Sequence, residues 1–412
     1  MTGTVPLGAG PALSRAPRRA LTALVVSQVL GGAGMAAGIT VGALLARDLF
    51  DSTSLSGLPV ALFTAGAALG AAVLGRVCQR RGRRVGLALG NGVAAAGSAA
   101  VVVGAAARWP VLLLAALLVY GAGTATGLLA RYAGAELAPP GRRGRATGTV
   151  LFAMTLGAVA GPNLVGPTGA LAHAWGIPRL AGPFLLAAAA YTAAALVLLA
   201  WPRPFPPSPA ADGPGAAEAS AIGPRRPASG VFGVVTGATV MITAQLVMIA
   251  VMTMTPVHLT GHGHGTRAAG LVISLHVGAM FLPSPLSGLL ADRAGGRPVA
   301  AASGVVLLLA GLLAALAPPA SVALSACALV LLGAGWNLAL VGGTALLTRA
   351  APAENRATVQ GLADVGMSVA GATGGMVSGL VVTGGGYPFL AAAAGVLALA
   401  VIPAVALRGT PP

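Results

Sequence analysis

The stretch Gly75–Arg84 reads G-R-V-C-Q-R-R-G-R-R and places five arginines between two long apolar runs. Such a cluster cannot lie in hydrocarbon, so it indicates a connection at a membrane face, and its arginines favour the cytoplasmic face. The same pattern returns 213 residues later at Gly288–Arg297, G-L-L-A-D-R-A-G-G-R. Four positions match without a gap: Gly75 with Gly288, Arg80 with Arg293, Gly82 with Gly295, and Arg84 with Arg297. The sequence therefore predicts a duplicated membrane protein.

The composition points to lipid as the main solvent. Of the 412 residues, 56% are hydrophobic and only 8% are charged, and the mean hydropathy is +0.88. A chain with so few charged residues could not cover a soluble surface of this size. The net charge of +16 comes from 24 arginines, without any lysine, against eight acidic residues. Because the arginines are confined to connections between apolar runs, they indicate membrane topology and argue against a nucleic-acid partner.

Twelve apolar runs are long enough to cross a bilayer as helices, which takes about 20 residues each. The predicted spans are 20–45, 57–75, 85–106, 110–131, 146–171, 181–201, 231–256, 268–291, 298–317, 321–347, 357–382 and 388–407. These runs are continuous, whereas the strands of a membrane β-barrel would alternate polar and apolar residues. The first run is too long for the core of a signal peptide, so we interpret it as a retained span.

Twelve crossings place both termini on one side. Assigning that side to the cytoplasm puts twenty arginines inside and four outside, namely Arg47, Arg108, Arg179 and Arg267. This bias predicts a multi-pass protein of a bacterial inner membrane with both termini in the cytoplasm. The predicted parts are a tail (1–19), a six-helix half (20–201), a cytoplasmic linker (202–230), a second six-helix half (231–407) and a short tail (408–412).

The two predicted halves repeat more than the arginine clusters. Gly121-Ala122-Gly123 on span four returns as Gly333-Ala334-Gly335 on span ten, and Arg145-Ala146-Thr147 returns as Arg356-Ala357-Thr358. Repeats in the same order predict two parallel halves about one axis. With the basic motifs after spans two and eight, this pattern resembles the major facilitator superfamily over nearly the whole chain. The resemblance implies an all-α polytopic fold of twelve transmembrane helices in two pseudo-symmetric six-helix bundles.

The family's loop pattern is G-x-L-a-D-R-x-G-R-R. The second copy keeps the acid as Asp292, and the first copy has Gln79 at that position. In the family this acid is thought to lock the cytoplasmic face by meeting a neighbouring helix end. Gln79 can still accept hydrogen bonds from helix N-terminal amides, but it lacks the charge that interacts with the helix dipole. The predicted gate residues are Gly75, Gln79, Arg80, Gly82 and Arg84, with Gly288, Asp292, Arg293, Gly295 and Arg297.

Span five carries a pattern similar to that of the drug–proton antiporter subgroup, G-x8-G-x3-G-P-x2-G-G. Its residues here are Gly148, Gly157, Gly161, Pro162 and Gly166, and Val165 is the departure. Small residues four apart allow close helix packing, and a proline removes one ladder hydrogen bond. The alternative is a simple kink in a glycine-rich helix. Span four lacks the arginine that such antiporters usually carry before G-x-G and has Leu117 instead.

Two ionisable side chains are candidates for coupling transport to an ion. Asp364 lies about two turns inside predicted span eleven, and His276 lies on span eight. An ionisable group at that depth is a functional hypothesis by default. The alternatives are a structural ion pair of Asp364 near the cytoplasmic face with Arg349, Arg356 or a loop arginine of the first half, and a hydrogen-bonded core histidine for His276. Arg131 and Glu136, five residues apart, are expected to form an interfacial charge network.

Neutral polar residues near mid-membrane are candidates for lining a substrate cavity. Gln28 on span one and Gln245 on span seven occupy corresponding places in the two halves, and the resemblance implies that these spans line the central path. The other candidates are Tyr120 on span four, and Trp336 and Asn337 on span ten. For each of them, the alternative is hydrogen bonding between helices.

The sequence therefore predicts a secondary active transporter that moves a small organic molecule by alternating access, by proton-coupled efflux of apolar or amphipathic compounds. An alternative is a uniporter or a proton symporter that imports a metabolite, and a weaker one is a membrane-embedded transferase. No phosphate-binding loop, enzymatic site or cofactor is predicted. His258, His262 and His264 lack a supporting carboxylate or thiol, so we predict no metal site. The expected partners are the substrate, protons and the lipid bilayer, with the chain acting as a monomer.

Overall fold

The computed structural model describes residues 15–50, 58–200 and 227–406, and within these ranges the chain is helical without any strand. The predicted linker lies almost entirely outside these residues, as do most of the first tail and the end of the last. Nine segments of the described chain are long and apolar enough to cross a membrane, and one of them, Arg356–Ala406, is 51 residues long. That length suffices for two crossings, since a crossing takes about 20 residues.

The first half contains six spans. Their helices are Arg15–Phe50 (span one), Leu58–Arg81 (two), Arg83–Ala106 (three), Pro110–Thr124 with Thr126–Leu137 (four), Arg143–Asn163 with Val165–Ala174 (five), and Gly182–Ala200 (six). The second half repeats this order. Its helices are Pro227–Gly261 (seven), Thr266–Phe281 with Ser284–Ala294 (eight), Gly296–Leu316 (nine), Val322–Ala350 (ten), Arg356–Ala398, which holds spans eleven and twelve across a break at Gly386, and Val401–Ala406.

The arginine-rich connection after span two is a single residue. Span two continues to Arg81 and span three begins at Arg83, so that only Gly82 is non-helical, with a φ of 83°. Gly295 connects spans eight and nine in the same way, with a φ of 88°. Both angles lie in the left-handed region that favours glycine. The predicted end of span two at residue 75 is therefore wrong, because helices extend past the apolar core where arginine side chains reach water.

Three spans are interrupted where backbone hydrogen bonds are lost. In span four the break is at Ala125, where the hydroxyls of Thr124 and Thr126 donate to the Gly121 and Gly123 carbonyl oxygens, each at 2.7 Å. Such side-chain bonds compete with the helical ladder. In span eight the break lies at Leu282-Pro283, and a second proline follows at Pro285.

Span five is interrupted two residues after the Gly161-Pro162 position at which a kink was predicted. The helix continues through Gly161 and Pro162 to Asn163, and the interruption is at Leu164. It lies between two prolines, Pro162 and Pro167, which lack the N–H donor needed for a ladder bond. Gly166 lies just past the break. A Cβ added there would have no other atom of the described chain within 4 Å, apart from its own neighbours in the helix.

The two halves meet at two helix crossings, span two with span eleven and span five with span eight. These crossings are equivalent under the repeat, since spans two and eight correspond, as do spans five and eleven. Both lie at the end of the bundle that carries the connections after spans two, four, eight and ten. We call this end the basic face and the other end the opposite face.

Glycine backbones make these crossings close. An added Cβ at Gly75 would lie 2.9 Å from the Ala357 carbonyl oxygen and 3.0 Å from the Cα of Gly361. In spans five and eight, the backbones of Gly144 and Gly288 approach each other in the same manner. Towards the opposite face, Gly270 on span eight and Gly379 on span eleven have open space instead. The halves are thus closed together at the basic face.

Candidate functional site

Asp292 fastens the end of span eight to the start of span five. Its carboxylate accepts hydrogen bonds from the backbone N–H of Gly144, at 2.6 Å, and of Arg145, at 3.0 Å. These amides belong to the first helical turn, where N–H groups have no partner inside the helix and the dipole attracts negative charge. The Arg145 guanidinium adds a longer contact of 3.6 Å. Asp292 therefore connects the two halves.

Gln79 makes the corresponding contact between span two and span eleven. Its side-chain oxygen accepts a hydrogen bond from the N–H of Ala357 at 2.8 Å, as the sequence predicts. Its amide nitrogen donates to the Ala353 carbonyl oxygen at 3.2 Å. The uncharged residue thus keeps the helix-end contact and adds a second hydrogen bond that a carboxylate would lack.

Arg83 forms the charge network that the sequence assigned to Arg131. Two of its nitrogens donate to the Glu136 carboxylate, at 2.9 and 2.7 Å, and one also donates to the side-chain oxygen of Gln360 on span eleven. Gln360 in turn donates to Thr348 at 3.2 Å. The expected pairing of Arg131 with Glu136 is therefore wrong. Arg83 bridges spans three, four and eleven at the basic face.

The remaining arginines of the two basic motifs do not join the halves. Arg84 donates to the Leu198 carbonyl oxygen at 2.7 Å, at the end of span six in its own half. Arg80, Arg293 and Arg297 are exposed. Their position is the one expected for arginines at a membrane face.

A second ion pair between the halves is completely buried. Arg131, on span four, donates from Nη2 to Oδ1 of Asp364, on span eleven, at 2.6 Å. The side chains are 0% and 3% exposed. Charged groups at such depth are costly unless each is paired and hydrogen bonded. Asp364 therefore pairs with an arginine on span four, and the expected partners Arg349, Arg356 or a loop arginine of the first half are wrong.

Neighbouring polar groups hold this ion pair. The Tyr132 hydroxyl lies 2.8 Å from Nη2 of Arg131 and 3.3 Å from Oδ1 of Asp364, and the arginine Nε donates to Thr344 at 3.0 Å. The sulfur atoms of Met241 and Met367 lie 3.7 and 4.0 Å from the same Nη2. Oδ2 of Asp364 has no partner among the described residues. We call Arg131, Tyr132, Thr344 and Asp364 the ion-pair cluster.

The ion-pair cluster has no counterpart in the repeat. The Gly-Ala-Gly pattern shared by spans four and ten aligns Arg131 with Gly343. The Arg-Ala-Thr pattern shared by spans five and eleven aligns Asp364 with Ala153. Arg131 of the first half is therefore enclosed by spans seven, ten and eleven of the second half. Gly343, its counterpart in the second half, cannot make the equivalent contact with the first half.

Of the predicted cavity residues, Gln245 is the partly exposed one. Its side-chain oxygen accepts a hydrogen bond from the indole N–H of Trp336 at 2.7 Å. Trp336 is buried and packs edge-on against Phe281, with ring centroids 5.5 Å apart. Trp336 thus positions Gln245 and is itself covered in this conformation.

The other three cavity candidates are buried inside their own halves. Tyr120 donates to the Gly34 carbonyl oxygen at 3.0 Å, and Asn337 donates to the Met280 carbonyl oxygen at 2.7 Å, next to the break in span eight. Gln28 is 3% exposed, and spans one and seven make no extensive contact among the described residues. Gln28 and Gln245, which occupy corresponding places in the two halves, therefore do not lie close together in this conformation, and a binding role for the cavity candidates stays a prediction.

His276 and His258 each contact a neighbouring span, and a coupling role for His276 stays a prediction. His276 is fully buried, and its Nδ1 lies 2.8 Å from the Leu329 carbonyl oxygen on span ten. It lies on span eight, apart from the ion-pair cluster. His258 stacks on Tyr387 with centroids 4.4 Å apart. Within the described ranges, no three His, Cys, Asp or Glu side chains are grouped so that they could hold a metal ion.

The glycines of the span-five pattern have two different neighbours. An added Cβ at Gly148 would meet the Ser284 carbonyl oxygen on span eight, in the other half. An added Cβ at Gly157 would meet the Val29 carbonyl oxygen on span one, in the same half. The pattern therefore serves one contact between the halves and one contact inside the first half.

This architecture and its repeated basic motifs match a known family. The family model of the Major Facilitator Superfamily matches residues 31–364 and 267–412. The chain belongs to the major facilitator superfamily. It is a multi-pass membrane transporter and not an enzyme, and such transporters carry small molecules.

Relatives of similar length support this assignment. The chain is 47% identical to the uncharacterized MFS-type transporter YddS of Bacillus subtilis, over 94% of this chain and 90% of that protein. It is 32% identical to the riboflavin transporter RfnT of Brucella anthropi, over 85% of each chain. Neither is described as a drug–proton antiporter.

Solved structures share the fold at low identity. The human organic anion transporter MFSD10 gives a TM-score of 0.76 at 16% identity, over 95% of this chain and all of that one. The fucose:proton symporter FucP of E. coli gives a TM-score of 0.76 at 15% identity, over 96% of this chain and all of that one. Both likenesses concern the fold alone.

Sequence reasoning missed the partners in these contacts. Arg131 and Asp364 are 233 residues apart, and Trp336 and Gln245 are 91 apart. The available signal was that Asp364 lies inside a predicted span, where a charge requires a partner, and that Arg131 is the last residue of another.

Removing the Asp292 carboxylate is expected to loosen the basic face. Asp292→Ala leaves two first-turn amides without their acceptor, and hydrogen bonds to a charged group contribute about 1.5–3 kcal/mol each. We expect at least a tenfold larger population with the basic face open. Spin labels at the exposed positions Arg142 and Arg293, in a variant without its two cysteines, would report the longer distance.

The matched control is Glu354→Gln, which neutralises an exposed acid at the same face. It should leave the distance distribution between the two labels unchanged. An unchanged distribution in Asp292→Ala would contradict the assigned role of Asp292.

Proposed function

We propose that this transporter exports a small, largely apolar organic molecule in exchange for protons, across the inner membrane of a bacterium. The basic face is placed in the cytoplasm because twenty of the 24 arginines lie on that side of the predicted topology. The conformation with the basic face closed is then the one that opens to the outside.

The ion pair between Arg131 and Asp364 carries this proposal. The basic face cannot open while Arg131 remains enclosed by spans seven, ten and eleven. Withdrawing it from a charged Asp364 leaves a buried carboxylate alone, and breaking such a pair costs about 3–5 kcal/mol. A proton on Asp364 removes that charge, so proton binding from the outside favours opening towards the cytoplasm. This links proton entry to the return step of the transport cycle.

Export is favoured by the span-five pattern. Gly148, which resembles the first glycine of the antiporter pattern, lies at the crossing that closes the basic face. In an exchange cycle, the proton-loaded carrier opens inwards, releases the proton, binds the substrate and closes again behind it. The few charged and many apolar residues of the chain suit an apolar molecule with few polar groups.

A second candidate is proton-driven uptake of a metabolite. The 32% identity to a protein named as a riboflavin transporter favours a flavin-like substrate over an arbitrary drug. The same ion pair serves either direction, because protonation of Asp364 permits inward opening whether the substrate is absent or bound.

Transport into inverted vesicles tests the proposal. Vesicles acidified inside should accumulate a substrate, and the panel includes cationic dyes and riboflavin. Asp364→Asn places a neutral amide beside Arg131 and removes the proton-binding group, so gradient-driven accumulation should fall at least tenfold. We expect this loss of accumulation because the gradient would act through protonation of Asp364. One protonation step can shift a two-state equilibrium at least tenfold.

Glu354→Gln should accumulate substrate at the wild-type rate, because Glu354 is an exposed acid at the basic face. Gradient-driven accumulation that survives in Asp364→Asn would overturn the role of Asp364 in coupling. Accumulation only with the outside acidified would favour uptake over export.

A further inference from the structure

The amide of Gln245 has a fixed orientation. The indole N–H of Trp336 is a donor only, so the atom that it meets at 2.7 Å must be the amide oxygen. The amide nitrogen of Gln245 therefore points away from the indole and carries two N–H donors. It donates to no atom of the part of the chain that the structure describes. Gln245 is partly exposed, so these donors are available to a molecule between the halves.

The backbone of a glycine on span eleven lies beside this amide. An added Cβ at Gly371 on span eleven would lie 3.3 Å from the Gln245 amide nitrogen and 3.7 Å from Ile249. Gly371, Gln245 and Ile249 are all partly exposed. The absence of a side chain at Gly371 thus lets the amide lie close to the span-eleven backbone, which offers a flat surface with the aliphatic side chain of Ile249 at its edge.

This group lies directly above the ion-pair cluster. Gln245 follows Met241 by four residues on span seven, and Gly371 follows Met367 by four residues on span eleven. Both methionine sulfurs contact Arg131. Residues four apart share one helix face and are separated by about 6 Å along the axis. Gln245 and Gly371 therefore form the next layer towards the opposite face.

We propose that Gln245 and Gly371 form a substrate subsite that binds a flat, neutral ring bearing a carbonyl oxygen. The carbonyl accepts a hydrogen bond from the Gln245 amide, while the ring lies along the Gly371 backbone and Ile249. The subsite rests on the proposed function in one respect: the substrate passes through the space between the halves.

The neutral class of ligand follows from the charges nearby. Arg131 and Asp364 already neutralise each other one layer below, and Gln245 itself is uncharged. A ligand with a full charge would lose its hydration here without gaining a partner, which is costly. A carbonyl group needs only the two N–H donors that the site offers.

Binding to the purified full-length protein in detergent, without any gradient, separates this subsite from proton coupling. The probes are lumichrome, a flat tricycle with two carbonyl groups, and acridine, a flat tricycle without a carbonyl. Lumichrome should bind more tightly than acridine. Gln245→Met keeps the length of the side chain but removes the donors, so it should weaken lumichrome binding about fivefold and leave acridine unchanged.

Three further variants separate the subsite from a folding defect. Gly371→Ala crowds the amide and should weaken lumichrome binding, whereas Gly379→Ala, eight residues further along the same span, enters open space and should not. Trp336→Phe removes the N–H that orients Gln245, so it should reduce the preference for lumichrome over acridine.

Equal affinity for the two probes, or equal loss of both in Gln245→Met, would overturn the subsite. Failure of the proposed function would look different: Asp364→Asn would transport normally, while the probes still bound in this order.

Discussion

Replacing Gly148 with leucine is expected to abolish transport while the protein still folds. A Cβ at this position meets the Ser284 carbonyl oxygen of the other half, and a backbone atom cannot move aside as a flexible side chain can. Overpacking a close contact costs about 1–3 kcal/mol or more, and here the cost falls only on the conformation with the basic face closed. A shift of about 3 kcal/mol changes the population of that conformation more than a hundredfold.

Gly157→Leu is the informative partner of this variant. Its Cβ meets the Val29 carbonyl oxygen inside the first half, so the cost falls on every conformation and should appear as lower expression and a lower unfolding temperature. Gly148→Leu should keep the wild-type unfolding temperature and show spin-label distances of an open basic face. Normal transport by Gly148→Leu would show that spans five and eight do not need this close contact.

The second large effect concerns the buried ion pair. Arg131→Met leaves Asp364 buried without a positive partner, so we expect the free energy of unfolding to fall by about 3–5 kcal/mol. Asp364→Leu should cost a similar amount, because it leaves a fully buried guanidinium. The double variant Arg131→Met with Asp364→Leu removes both charges and should be more stable than either single variant.

Thermal unfolding in detergent at one heating rate measures these differences. The double variant is expected to recover the unfolding temperature but not the gradient-driven transport. If the single variants lost stability additively, the two side chains would not form an energetically coupled pair. Recovery of gradient-driven transport in the double variant would show that the ion pair is structural only.

The sequence was sufficient to predict the architecture. The thickness of the bilayer sets the length of the apolar runs, and the arginines have to lie at its faces. It also predicted that Gln79 can accept a hydrogen bond from a helix N-terminus, because such amides require acceptors, but it did not identify that helix as span eleven. The length of span two was missed, since a helix can continue into the interface once its arginines reach water.

The partners of buried polar groups were not predictable in the same way. Glu136 lies close to Arg131 in sequence, yet it pairs with Arg83, while Arg131 reaches across to Asp364. Such choices depend on which helices cross and at what height, and a single sequence does not contain that information. For the same reason, the hydrogen bond that orients Gln245 was not predicted.

The glycine crossings between the halves bear on the speed of the transport cycle. Where Gly144 meets Gly288 and Gly75 meets Gly361, the four glycines themselves have no side chain whose rotamer must change when the surfaces part. Parting there neither releases nor consumes side-chain conformational entropy. The activation barrier then belongs mainly to the polar contacts, above all to the ion pair. Turnover should therefore depend steeply on the proton concentration at Asp364 and only weakly on substitutions that enlarge side chains facing the lipid.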